Sequence, residues 1–123
     1  MEDKFFRGSN TQDRWNQKHI AQYEVNKDFD YTKMGELSYI KVANDIIVQN
    51  QEAIKRKSIL DVGCAVGKAV NYYKLNLPEF ECSGYDFSES GIKAATQKVP
   101  NCYFEQRDIL LNPIDKDFGV VTM

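Results

Sequence analysis

The apolar positions change period along the chain. Trp15, His19 and Tyr23 recur every four residues and share one stripe, which predicts a helix over 11–25. The ten residues before it read as irregular, with Phe5 and Phe6 as anchors, and 26–31 reads as a loop. Thr32 is a plausible cap for a second helix, along which Leu37, Ile40, Ala43 and Ile47 form an apolar stripe. That helix is expected to end near Ile54. From Ser58 the pattern becomes strand-like: Ser58-Ile59-Leu60-Asp61-Val62 is short, apolar, rich in β-formers and followed by glycine. A helix over 68–77 closed by Pro78, a strand over 80–85 and a helix over 89–99 follow. Ser88 stands as N-cap of this last helix and Pro100 as its stop. Strands at 102–106 and 118–122 flank a loop at 110–117. Strands alternating with helices predict an α/β fold: a parallel sheet of about four strands, helices on both faces and an N-terminal helical extension. The expected division is a helical cap or lid region over 1–57 and a sheet core over 58–123. In such sheets ligands bind at the carboxyl ends of the strands, where strand order reverses, and the first strand should flank that point.

The 123 residues allow one domain or part of one. With 42% hydrophobic and 28% charged residues the composition excludes a disordered or fibrous chain. No apolar run approaches the roughly 20 residues of a membrane helix, and Met1-Glu2-Asp3-Lys4 does not open a signal peptide. The net charge is −2, with 1–58 nearly neutral and the remainder at −3, and the lack of a clear basic excess argues against a nucleic-acid partner. Cys64, Cys82 and Cys102 are odd in number and widely spaced, so they read as buried thiols rather than a disulfide framework. With one histidine and no C-x-x-C pair, no metal site is expected, and the reducing cytoplasm is the expected compartment.

The chemistry concentrates in Leu60-Asp61-Val62-Gly63-Cys64-Ala65-Val66-Gly67-Lys68, where a strand feeds a glycine-bearing turn that feeds a helix. Gly63 tolerates a backbone angle closed to other residues, Ala65 keeps bulk out of the turn, and Gly67 lets the helix start lie close. The first helical N–H groups then offer a seat for a carboxylate or phosphate. Three ligand classes fit such a turn. The phosphate-binding loop G-x-x-x-x-G-K-[ST] fits poorly, because Gly63 and Gly67 enclose three residues and Ala69 replaces the metal-binding hydroxyl. The dinucleotide pattern G-x-G-x-x-G meets Ala65 and Lys68 in place of its second and third glycines. The third is a G-x-G-x-G turn with an acid two positions before the first glycine: Asp61, Gly63 and Gly67 match, and Ala65 departs.

At this point the sequence resembles the Rossmann-like (class I) S-adenosylmethionine-dependent methyltransferases, over about 58–123. "LDVGCAVG" is similar to their first motif, "GYDFSESGIKAA" to the second, "FEQRDIL" to the third and "FGVVTM" to the fourth strand, which usually carries Asp where Gly119 stands here. The resemblance implies S-adenosylmethionine as cofactor. It implies that Asp61 holds the methionine ammonium and that the backbone around Gly63 and Cys64 meets the methionine carboxylate. Ala65 and Gly67 then shape the turn, Asp86 takes both ribose hydroxyls, Phe87 packs on the adenine, and Asp108 and Ile109 border it. Asp86 comes 23 positions after Gly63, near the roughly 20 of such a unit. Trp15, His19 and Tyr23 are lid candidates, with packing as the plainer role for the stripe. Lys55-Arg56-Lys57 reads as a solvated helix end. No catalytic residue is assigned. The implied activity is methyl transfer to a small-molecule acceptor, this chain carrying mainly the cofactor-binding half. The rival readings are a non-catalytic methyltransferase-like binding or assembly module, which the Ala65 departure would suit, and an NAD-dependent oxidoreductase. Family members have seven strands, so the chain reads as a fragment, inactive alone. Its fourth strand would leave an apolar edge open to self-association or to further strands.

Overall fold

The computed structural model describes residues 12–26 and 38–123, with the side chains of residues 19, 21–26 and 38 set aside. Phe5, Phe6, Thr32 and Leu37, and the side chains of His19 and Tyr23, therefore lie outside the described residues. Four helices and four strands are described in the order α1 (Gln12–Asn26), α2 (Ser38–Asn50), β1 (Ser58–Val62), α3 (Lys68–Asn76), β2 (Glu81–Asp86), α4 (Glu89–Lys98), β3 (Tyr103–Gln106) and β4 (Val120–Thr122).

Local chemistry sets several of these boundaries. Ser88 has extended backbone and its Oγ accepts the Gly91 N–H at 3.1 Å, capping α4. The described helix α2 ends at Asn50, short of the expected Ile54, and a turn follows. Lys57 helps close that turn: its ammonium donates to the carbonyls of Gln51 and Ile54, the latter at 2.7 Å, and sits 5.4 Å from the Phe80 ring centroid. Of the basic triplet expected in solvent, Lys57 is thus partly buried and satisfies helix-end carbonyls.

The sheet is wholly parallel, in the order β3-β2-β1-β4. Strand order reverses beside β1, so the carboxyl ends of β1 and β4 flank the switch point. The two crossovers β1→β2→β3 step in one direction, so the right-handed rule places both α3 and α4 on the same face. Of the helices expected on both faces, the crossover helices described here thus share one. The opposite face carries Leu60 and Tyr85, and Phe118 from the segment before β4 meets the Tyr85 ring edge-on at 6.3 Å.

Ile40 and Ile47 of α2, Ile59 of β1, Val70 and Tyr73 of α3 and Cys82 of β2 form one buried cluster. Each such aliphatic side chain contributes about 1.5–3 kcal/mol when fully buried. So α2 packs into the same core as the sheet. Two glycines permit the tight approach: a Cβ on Gly67 would stand 3.0 Å from Ala95 Cβ, and one on Gly84 would stand 2.7 Å from Cys64 Sγ. Helix α1 reaches the sheet differently, through polar contacts to the start of α4. Asn16 Oδ1 accepts the Ser88 hydroxyl at 2.7 Å and the Ser90 N–H at 3.3 Å. Ser88 is fully buried and serves both the α4 cap and the α1 contact. Ser88→Ala should therefore lower stability by about 2 kcal/mol, a lost cap that leaves the buried Gly91 N–H without its acceptor, plus the lost bond to Asn16. Urea denaturation measures this, and a loss below 0.5 kcal/mol, on the order of a surface substitution, would contradict it.

Candidate functional site

The turn between β1 and α3 carries three residues with left-handed backbone, Gly63 (φ +77), Ala65 (φ +50) and Gly67 (φ +86). They are the alternate positions of the G-x-G-x-G pattern, which explains why that pattern asks for glycine three times. Ala65 adopts the conformation at a cost of roughly 1–2 kcal/mol. Its N–H donates to Asp86 Oδ2 at 2.9 Å, a charge-assisted bond that helps hold it there. Gly63 differs from Gly67 in its surroundings. A Cβ on Gly63 would meet nothing within 4 Å, whereas one on Gly67 would press on Ala95, Phe104 and Val99. Gly67 is thus needed for helix packing, and Gly63 faces open space.

That space is two cavities separated by the turn, and Gly63 and Ala65 line both. The first, about 530 Å³, brings together Trp15, Asp86, Phe87, Arg107, Asp108 and Ile109. The second, about 520 Å³, brings together Asp61, Cys64, Lys68, Tyr39, Tyr73 and Thr122. Every cofactor-binding residue read from the sequence therefore lines one cavity or both, apart from Gly67, which packs beneath them. Of the lid candidates, Trp15 lines the first cavity.

Asp86 ends β2 and is 7% exposed. Its two oxygens accept the N–H groups of Ala65 (2.9 Å) and Ser88 (2.8 Å), which fixes the carboxylate and leaves a lone pair on each oxygen facing outward. Asp108 Oδ1 accepts the Leu110 N–H at 3.0 Å, bending the chain so that Ile109 and Leu110 border the same cavity. Arg107 donates to the Pro113 carbonyl at 2.7 Å and lies 5.0 Å from the Tyr85 ring centroid, bracing that loop. Phe87 presents its carbonyl to two amides, Gln12 Nε2 at 2.5 Å and Gln106 Nε2 at 3.3 Å. Gln12 and Asn16 are one turn apart on α1, so both grip the 87–90 segment and hold Trp15 at the cavity.

The amides of Gly63 and Cys64, expected to face a carboxylate, both donate to the Tyr85 carbonyl, at 2.8 and 3.1 Å. They are spent on fastening the turn to β2. The first helical N–H groups, read from the sequence as a seat for an anion, are those of the first turn of α3; they have no acceptor within the helix and lie beside Lys68. Cys64 is buried and its thiol is pushed well above the ordinary range by that burial, so it lines the second cavity as an apolar wall.

Asp61 faces the second cavity and is 8% exposed. Burial raises its pKa to about 6; the Thr122 hydroxyl, 2.7 Å from Oδ1, works against the rise, and the Asp86 charge adds to it. The folded state thus holds a proton that the unfolded chain, at 3.8, releases. Asp61 therefore costs stability progressively as pH rises from about 4 to about 6, by about 3 kcal/mol in all. Asp61→Asn should be more stable than the parent at pH 8 by up to that amount and equal to it at pH 4. Denaturation curves at the two values check this; a difference independent of pH would contradict it. Among the described residues no group of three or more His, Cys, Asp or Glu could hold a metal ion, and no helix is long and apolar enough to cross a membrane.

No protein-family profile matches the chain. It is 30% identical over 108 residues to a candidate methyltransferase of Invertebrate iridescent virus 6, an alignment covering 87% of this chain and 36% of that protein. The chain thus spans about a third of the length of the curated relative it matches. Among solved structures, magnesium protoporphyrin IX methyltransferase from Synechocystis PCC 6803, with bound SAM, superposes with a TM-score of 0.66 at 18% identity, over 98% of this chain and 61% of that one. The plantazolicin methyltransferase BpumL, in complex with a desmethyl-plantazolicin analog and SAH, gives 0.58 at 24% identity, over 85% and 39%. At these identities the likeness speaks for the fold.

Proposed function

We propose that this chain, which has the Rossmann-like fold of the class I S-adenosylmethionine-dependent methyltransferases, is the cofactor-binding part of such an enzyme. The observation that carries the reading is the pair of cavities on either side of Gly63 and Ala65, one lined by Asp86 and the other by Asp61. A ligand with a nucleoside at one end and an amino acid at the other matches that pair. The outward lone pairs of Asp86 accept the two ribose hydroxyls. Phe87, Ile109 and Trp15 enclose the adenine, with Asp108 beside it. Asp61 takes the ammonium, and the first turn of α3 with Lys68 takes the carboxylate. The open space over Gly63 leaves room for the ligand backbone, which a side chain there would fill.

When bound, S-adenosylmethionine supplies an electrophilic methyl carbon, and the protein's part is to position it and exclude water. Here Asp86 and Asp61 fix the two ends, and α1 acts as the lid through Trp15. Asp61 also speaks against a dinucleotide, because a buried carboxylate would face the pyrophosphate at the turn. The acceptor is a small molecule on this reading, since the net charge of −2 gives no basic excess for nucleic acid. A binding module without turnover is the second reading, favoured by Ala65, which strains a turn that glycine would relax.

Trp15 is the sole tryptophan, so its fluorescence tests the reading directly. Titration with S-adenosylhomocysteine should give a saturable change in emission that NAD does not reproduce. A flat titration on a folded chain, or a response to NAD alone, would contradict it.

A further inference from the structure

We infer that Thr122 of β4 is a positioning residue for Asp61: its hydroxyl aims the Asp61 carboxylate at the amino group of the ligand's amino-acid tail. The inference rests on the cofactor reading above and adds to it a residue to which the sequence motifs assign no role. Asp61 and Thr122 are register partners on adjacent parallel strands, so their side chains emerge on the same face. Thr122 Oγ1 lies 2.7 Å from Asp61 Oδ1 and 3.5 Å from the Leu60 carbonyl, so the carboxylate is its acceptor. Both side chains line the cavity assigned to the amino-acid tail. Tyr73, buried on α3, lines the same cavity.

The groups facing Asp61 pull in opposite directions. Asp86 on β2 carries a like charge, and Cys64 in the turn and Tyr73 and Tyr39 from α3 and α2 bury the carboxyl without adding charge. Lys68 at the start of α3 brings a positive charge to the same cavity. Thr122, from β4, donates a hydrogen bond that is strongest to the ionised carboxylate. A carboxyl that receives an ammonium must be ionised, so removing this hydroxyl should weaken binding in a pH-dependent way.

Thr122→Val keeps the side chain's shape and its fitness for a strand while deleting the hydroxyl. It should bind S-adenosylhomocysteine about fivefold more weakly than the parent at pH 6, as a titration midpoint raised by about one pH unit gives, and within about twofold of it at pH 8. Thr122→Ser should restore the parent profile. 5′-Methylthioadenosine, which lacks the amino-acid tail, should bind parent and Thr122→Val alike at both pH values. A ligand-free measurement stands beside these: the carboxyl ¹³C resonance of Asp61 should titrate at higher pH in Thr122→Val than in the parent. An unchanged Asp61 midpoint, or parent and variant pH profiles that run parallel, would overturn the assignment of Thr122. Failure of the parent itself to bind S-adenosylhomocysteine would overturn the cofactor reading instead, and the ligand-free titration would then decide alone whether Thr122 governs Asp61.

Discussion

Asp86→Ala should weaken S-adenosylhomocysteine binding at least about hundredfold, or about 3 kcal/mol, the worth of two charge-assisted hydrogen bonds at about 1.5 kcal/mol each. The carboxylate does two jobs at once. Inward, it accepts the N–H groups of Ala65 and Ser88; outward, it presents the lone pairs that suit a ribose diol. The substitution therefore also leaves two amides without their acceptor and should cost about 2 kcal/mol of stability. Asp86→Asn separates the jobs. An amide keeps one acceptor oxygen, so part of the turn anchoring survives, while its NH₂ cannot accept from the ribose. Affinity should fall nearly as far as in Asp86→Ala, with less loss of stability. Calorimetric titration paired with thermal unfolding reads both quantities. Retention of parent affinity in either folded variant would remove Asp86 from the nucleoside site.

Gly119→Asp should be the most damaging single change to the fold, though it installs the residue that the resembled family usually carries there. A Cβ built on Gly119 falls 1.8 Å from the Arg56 carbonyl oxygen and 3.0 Å from Ile54 Cγ2. The obstacle is backbone, so no rotamer relieves it, and the segment entering β4 must move. That movement would break the Gly119 N–H bond to Ser58 Oγ and strain the Ile59–Val120 pairing of β1 with β4. A loss of about 4 kcal/mol or more follows, out of a total that is commonly about 5–15 kcal/mol. Gly119→Ala should lose nearly as much, because the clash belongs to Cβ and not to the charge. Circular dichroism during heating measures it: a midpoint lowered by about 15 °C or more is expected. A shift of a few degrees would show that the chain can absorb the side chain.

The sheet was legible in the sequence because each strand is a short segment bounded on at least one side by a glycine, proline or capping serine. β1, α4 with its Ser88 cap, and the placement of Asp86 at a strand end all follow from such local signals. So do the two acids of the site, since Asp61 and Asp86 stand at fixed distances from Gly63. What the sequence did not reveal depends on partners distant along the chain. Asn16 is an ordinary polar residue in a helix until Ser88 and Ser90, more than 70 positions away, give it a role. Thr122 reads as a strand residue until β4 pairs with β1. The amides of Gly63 and Cys64 looked available for a ligand, but the parallel pairing of β1 with β2 turns both onto the Tyr85 carbonyl. Lys57 likewise looked solvated until the turn after α2 folded its carbonyls around the ammonium. Gly119 departs from the family pattern for a reason visible only when Arg56 is brought against it.

The most direct test of the central claim is calorimetric titration of the chain with S-adenosylhomocysteine at pH 8, with NAD as the competing ligand. One saturable site for S-adenosylhomocysteine and none for NAD is the result expected from the two cavities that share Gly63 and Ala65, one lined by Asp86 and the other by Asp61. Binding of NAD in its place, or no heat of binding from a chain shown to be folded, would contradict the assignment of the cofactor site.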